Sequence, residues 1–113
     1  MSITEYRRWF LDAYHRVNLV ERSLSRIEAP LSAGEYAALL LLLGEKEIRS
    51  SDIAARLGVG KSKASRYLSL LEKAGLVERL IGYVDKREKL FIITEKGLAC
   101  VADADRALRP WRL

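Results

Sequence analysis

Residues 50–75, SSDIAARLGVGKSKASRYLSLLEKAG, allow few folds. Ile53, Ala54 and Leu57 fall at helical spacing before Gly58, and Ala64, Leu68 and Leu71 do so after Gly60. Ser50 or Ser51 is expected to cap the first of these helices, which Gly58 stops; Val59 sits in the turn. Gly60 is a tolerable N-cap for the second helix, which runs from Lys61 to about Lys73 and is closed by Gly75. Ala64 is small enough to let the second helix pack close to Ala54 of the first, and Tyr67 is expected to join the core face. Two short helices around a tight glycine turn make a helix-turn-helix.

The same tract contains Gly60, Lys61 and Ser62, the end of the G-x-x-x-x-G-K-[ST] loop that cradles nucleotide phosphates. Position 55 holds alanine where that loop requires glycine, and the residues before it read as a helix, not a buried strand. A sheet of several βαβ units, each about 30 residues long, has little room in a 113-residue chain. The nucleotide reading is set aside.

The flanks complete an architecture. LVERLI at 76–81 reads as a strand, GYVDKRE at 82–88 holds the turn formers Gly82 and Asp85, and KLFIIT at 89–94 reads as the return strand. A hairpin directly after the second helix is the wing of a winged helix. Upstream, Ser32 and Glu35 form a capping box for a helix over 33–43 that is apolar on nearly all sides and suits the middle of a core. EIR at 47–49 is a candidate short strand. Thr94 caps a last helix from Glu95 to about Leu108, and Pro110 follows. The expected fold is mainly α with a small β-hairpin wing. It is a single winged-helix domain over 1–113, comprising a dimerisation helix (1–28), a winged-helix core (31–97) and a C-terminal helix (95–113).

Residues 2–28 read as one long helix that Pro30 ends, with Ser2 and Glu5 as its capping box. Ile3, Tyr6, Phe10, Ala13, Val17, Val20, Leu24 and Ile27 follow at alternating steps of three and four, a heptad seam. A helix of about 27 residues is roughly 40 Å long, more than the width of a small domain. Part of the seam must project, and a second copy of the chain is the expected cover. Ile3, Tyr6, Phe10, Ala13, Val17, Val20 and Leu24 are the candidate dimer residues, with Leu108 and Trp111 near the end. Trp9, Leu11, Tyr14 and Leu19 add apolar surface beside the seam.

The formal net charge is +5, and residues 60–73 hold four cations against one acid. A basic balance favours an anionic partner, and here it is concentrated on one helix. Ser62, Lys63, Arg66, Ser69 and Lys73 stack along the side opposite the core, flanked by Lys61 and Ser65. Short hydroxyls let such a helix sink into a major groove, and long cations reach guanine edges and phosphates. Free N–H groups in the first turn also receive phosphate, so Lys61 is expected to meet the DNA backbone.

Other classes find little support. A single cysteine, Cys100, and a single histidine, His15, allow no disulfide within the chain and no Cys/His zinc cluster. No carboxylate pair or nucleophile–base set stands out, so neither an enzyme nor a bound metal or cofactor is expected. The longest apolar run, residues 36–43, is eight residues, where a membrane span needs about 20. No signal peptide is visible, so a soluble, cytoplasmic, nucleoid-associated protein without membrane contact is expected. His15 falls opposite the seam as an exposed residue. Cys100 reads as a buried or interface thiol rather than an oxidant sensor. Trp9, Tyr14 and Tyr36 read as core and interface filler; a small aromatic effector is a secondary expectation.

LSAGEYAALLLLL, then SSDIAARLGVGKSKASRYLSLLEKAGLVERL, then DKREKLFIITEKG resemble the winged-helix core of the multiple-antibiotic-resistance-regulator (MarR) family over about residues 31–97. The most specific part is D-x-R, six residues, then T-x-x-G: Asp85, Arg87, Thr94 and Gly97. The resemblance implies a homodimeric transcription regulator, in most members a repressor, whose dimer interface comes from N- and C-terminal helices. It implies that Arg87 reaches the minor groove and that Asp85 helps hold the wing; Lys86 and Lys89 join Arg87 as wing candidates for DNA contact. Gly60 departs from the family's serine or threonine cap, and the C-terminal helix is short. The expected function is therefore a homodimeric, sequence-specific regulator that binds double-stranded DNA, with an architectural, chromatin-type DNA-binding protein of low sequence specificity as the alternative. A winged helix that contacts only protein is a third reading; it requires that the basic face be dispensable.

Overall fold

The computed structural model describes residues 1–45, 47–81 and 89–111. Its elements run α1 (Ile3–Leu24), α2 (Ala33–Gly44), β1 (Ile48–Arg49), α3 (Ser50–Leu57), α4 (Lys61–Lys73), β2 (Val77–Ile81), β3 (Lys89–Ile93) and α5 (Glu95–Leu108), with a short 3-10 turn over Arg109–Trp111. The strands form one antiparallel sheet in the order β1-β3-β2, with Ile48 opposite Phe91 and Arg79 also opposite Phe91. This is the mainly helical winged helix-turn-helix that the sequence led one to expect, with β1 as a third strand on the hairpin.

Local chemistry sets most of the boundaries. At α2 the capping box is complete: Glu35 N donates to Ser32 Oγ at 3.1 Å, and Ser32 N donates to Glu35 Oε1 at 3.0 Å. At α1 half of the expected box is present, Glu5 N donating to Ser2 Oγ at 3.1 Å. Gly58 takes the left-handed conformation, φ 69°, that lets α3 turn sharply into α4. Thr94 both caps α5 and ties it to the end of α4. Its Oγ1 accepts from Gly97 N at 3.0 Å and donates to Gly75 O at 2.7 Å.

Three boundaries or burials differ from expectation, each for a tertiary reason. α1 ends at Leu24, four residues short of 28. The chain folds back there, Leu31 N donating to Leu24 O at 3.2 Å, and both leucines enter the core. Ser25 Oγ also donates to Arg22 O at 2.7 Å, a local bond that competes with helix continuation. The N-cap of α3 is Arg49, not a serine, and makes no side-chain cap bond. Pairing of β1 with β3 holds Arg49 extended up to the first helical residue. In α2, Ala38, Leu39 and Leu42 are buried but Leu40 and Leu43 are exposed. The helix packs on α1, α3, α4, α5 and β3 without being surrounded, so one flank stays open.

The core gathers Leu24, Leu39, Leu42, Ile53, Leu68, Leu71 and Leu76 at its fully buried centre, with Phe91, Val101 and Ala104 against them. The hydroxyl of Tyr36 donates to Asp105 Oδ1 at 2.6 Å, pinning α2 to α5. Among the described residues no buried side-chain polar atom lacks a partner, as a well-ordered interior requires. No helix among the described residues is long and apolar enough to cross a membrane.

Candidate nucleic-acid interface

α4 is held from behind by Ala64, Leu68 and Leu71, all buried, and by the half-buried Tyr67. A helix turns about 100° per residue, so these four positions leave Ser62, Arg66, Ser69 and Lys73 on the opposite side. All four are exposed, as are Lys61, Lys63 and Ser65 on the flanks. Gly60 offers no side chain to the helix start, and no side-chain cap bond is present there. The first-turn N–H groups therefore face outward beside Lys61 and Lys63, where the positive end of the helix dipole adds to their charge.

The sheet stands directly beside this face. Ser65, Leu68 and Ser69 of α4 share a small cleft with Ser50 of α3, Arg79 of β2, and Lys89 and Phe91 of β3. The structure thus brings the expected Ser65, Ser69 and Lys89 together. Lys86 and Arg87, with Asp85, lie outside the described residues. Arg79 was not expected. Its Nη2 donates to Glu72 Oε1 at 3.1 Å, and its guanidinium lies 5.8 Å from the centre of the Phe91 ring. Glu78 beside it cancels its charge along the strand, so charge clustering did not mark it. Two further cations near the turn are engaged locally: Arg49 Nε donates to Asp52 at 3.3 Å, and Arg56 pairs with Glu45.

The expected dimer residues differ in how far this chain already covers them. Ile3, Tyr6, Phe10 and Val17 are each about half or more exposed, as are Trp9, Leu11 and Tyr14. Tyr6 and Trp9 lie with ring centres 5.9 Å apart, and Phe10 and Tyr14 stack at 6.5 Å. Ala13 and Val20 are half-buried, and Val20 packs against this chain's own core. Leu24 and Leu108 correct the expectation: both are buried inside this chain, so neither presents a surface to a partner. Trp111 is half-exposed, and its indole N–H donates to Ser23 Oγ of the same chain at 2.8 Å.

His15 is exposed on α1. Cys100 is buried, with its thiol donating to Ala29 O at 3.6 Å. Burial pushes the thiol above its ordinary value of 9.0, and the nearby negative charges of Asp103 and Glu35 push the same way. Among the described residues no group of three or more His, Cys, Asp or Glu side chains gathers as metal ligands.

The MarR family model matches residues 29–88, just over half of the chain. The chain belongs to the MarR family. It is a MarR-type winged-helix transcription regulator and not an enzyme. Solved structures share the MarR fold along almost the whole chain. A MarR mutant from E. coli complexed with operator DNA superimposes with a TM-score of 0.82 at 24% identity, over 94% of this chain and 74% of that one. Sco3205 from Streptomyces coelicolor, a MarR family regulator in complex with DNA, gives 0.83 at 23% identity over 95% and 70%. BldR from Sulfolobus solfataricus gives 0.79 at 22% identity over 98% and 82%. A search of curated proteins returned no match.

Proposed function

We propose that the chain is a homodimeric, sequence-specific regulator that represses transcription by occupying double-stranded DNA. The observation that carries this reading is the exposed face of α4, with Ser62, Lys63, Arg66 and Ser69 outward beside the sheet. In this reading α4 enters the major groove, where Arg66 and Lys63 reach base edges and Lys61 meets a phosphate. The wing over 82–89 follows the adjacent minor groove, with Arg87 inserted and Lys86 and Lys89 on the backbone. Two structures of the same fold, the E. coli MarR mutant and Sco3205, are complexes with DNA, which supports carrying that partner over. The exposed apolar residues of α1 supply the second contact surface, for another copy of the chain.

The test is selection of bound sequences from random duplex DNA at moderate salt. A dimer reading two half-sites should enrich a pseudo-palindrome with half-site centres about 10 base pairs apart, or a multiple of that. Binding that persists without any enriched motif replaces this reading with the architectural one.

A further inference from the structure

We propose that Ser65, Ser69, Arg79 and Lys89 form a seat for one backbone phosphate of DNA, at the saddle between α4 and the wing. The proposal rests on the DNA-binding reading above and adds Arg79, a strand residue outside the helix-turn-helix, as a positioning residue.

Groove geometry places a phosphate there. A helix in a major groove about 12 Å wide and a hairpin in the neighbouring minor groove, about 6 Å wide, straddle one sugar–phosphate strand. That strand crosses the protein where α4 meets the sheet. At this junction lies a cleft of about 50 Å³, lined by Ser50, Ser65, Ser69, Arg79 and Lys89 over a floor of Leu68 and Phe91. A single water occupies roughly 10–15 Å³ on such a measure, so the cleft accepts a group of a few heavy atoms and is too small for a base. Its polar lining is three hydroxyls and two cations, with no carboxylate. That set donates hydrogen bonds to an anion.

Arg79 is already oriented for the task. A guanidinium has five N–H donors, and the bond to Glu72 Oε1 uses one nitrogen, Nη2. The guanidinium carbon of Arg79 also lies over the Phe91 ring, 5.8 Å from the ring centre. The cost of ordering this long side chain therefore falls on folding and not on binding. Ser65 and Ser69 stand one helical turn apart on α4, so one phosphate held by them and by Arg79 and Lys89 sets the register of helix and wing together.

The experiment compares wild type, Arg79→Gln and Lys89→Gln on a selected duplex and a scrambled one at several salt concentrations. Each variant should lose affinity for both duplexes by the same factor, roughly tenfold, and the slope of log affinity against log salt should fall by about 0.9 per half-site. Thermal unfolding checks that Arg79→Gln folds; Lys89→Gln, at an exposed strand start, keeps the test alive if it does not. Single methylphosphonate substitutions along the duplex should then show one position per half-site that weakens wild type and weakens each variant less, because part of that contact is already lost. Wild-type slopes in folded variants, or a methylphosphonate penalty that persists unchanged in them, overturn the seat. Inorganic phosphate at constant ionic strength should compete with DNA for the same cleft, weakening wild type more than either variant; a free anion that binds the cleft without weakening DNA binding would assign the cleft to that anion instead. A wild-type protein that binds no duplex at all sinks the regulator reading and the seat with it.

Discussion

The ring of Tyr67 occupies the place where a side chain at position 34 would stand. Gly34 is the second residue of α2, and Tyr67 lies on the inner side of α4, so the absent side chain sets how closely the DNA-facing helix rides on the core. Gly34→Ala should overpack this contact and destabilise the fold by about 1–3 kcal/mol, less up to about 1 kcal/mol regained from helix propensity. Replacing Tyr67 with leucine first should remove most of the penalty. Urea midpoints of the two single variants and the double variant check this. A wild-type midpoint for Gly34→Ala alone would show that the contact has room to spare.

Val17 and Leu24 belong to one heptad seam yet predict opposite outcomes. Val17 is half-exposed on α1, whereas Leu24 is fully buried. Val17→Glu should leave the monomer folded and break self-association, with DNA affinity falling as the dimer is lost. Leu24→Glu buries a charge without a partner and should unfold the chain, at several kcal/mol. Sedimentation and circular dichroism on both variants separate the cases. A compact wild-type monomer at micromolar concentration would remove the dimer from the account.

Cys100 should be a slow thiol. Its burial and the adjacent acidic groups raise its pKa above the ordinary 9.0, so the reactive thiolate is scarce in the folded state. A disulfide reagent at pH 8 should modify native protein far more slowly than urea-unfolded protein. Because the folded state holds this proton more tightly, the contribution to stability is fully present below about pH 9 and is lost as pH rises through the higher folded value. Cys100→Ala should flatten that alkaline decline relative to wild type, which pH-dependent urea titrations can read. Fast native labelling would mean that the thiol is accessible after all.

What could be read from the sequence was what short-range physics decides. Gly58, Gly60 and the apolar spacing between 53 and 71 define two helices whatever surrounds them, and Ser32 with Glu35 marks the start of α2 by contacts three residues apart. The errors sit where distant segments intervene. Arg49 caps α3 because β3 pairs with β1, and α1 stops early because Leu31 returns to Leu24. Heptad periodicity is also blind to whose side chains cover it. The same seam carries Leu24 into this chain's core and leaves Ile3 to Phe10 uncovered. Arg79 escaped notice because what orients it, Glu72 on α4 and Phe91 on β3, meets it only in the folded chain.

Arg66 and Lys61 should differ in what they read. Arg66 stands on the outward side of α4 opposite Ala64 and Leu68, where a recognition helix reaches base edges, whereas Lys61 opens the helix beside its uncapped N–H groups. Arg66→Ala should cost about 1–3 kcal/mol on the preferred site, if the contact is bidentate to guanine, and relax preference at one position of each half-site. Lys61→Ala should weaken every duplex alike and lower the salt slope by about one per half-site. If Arg87 reaches the minor groove, as proposed, Arg87→Ala should also weaken most sequences, with a loss of bias toward A·T-rich flanks, because that groove carries a degenerate code. Titrations on a cognate and a scrambled duplex at two salt concentrations distinguish the three. Equal weakening of both duplexes by Arg66→Ala would mean that α4 does not read sequence, and an architectural role would then fit the protein better than a repressor's.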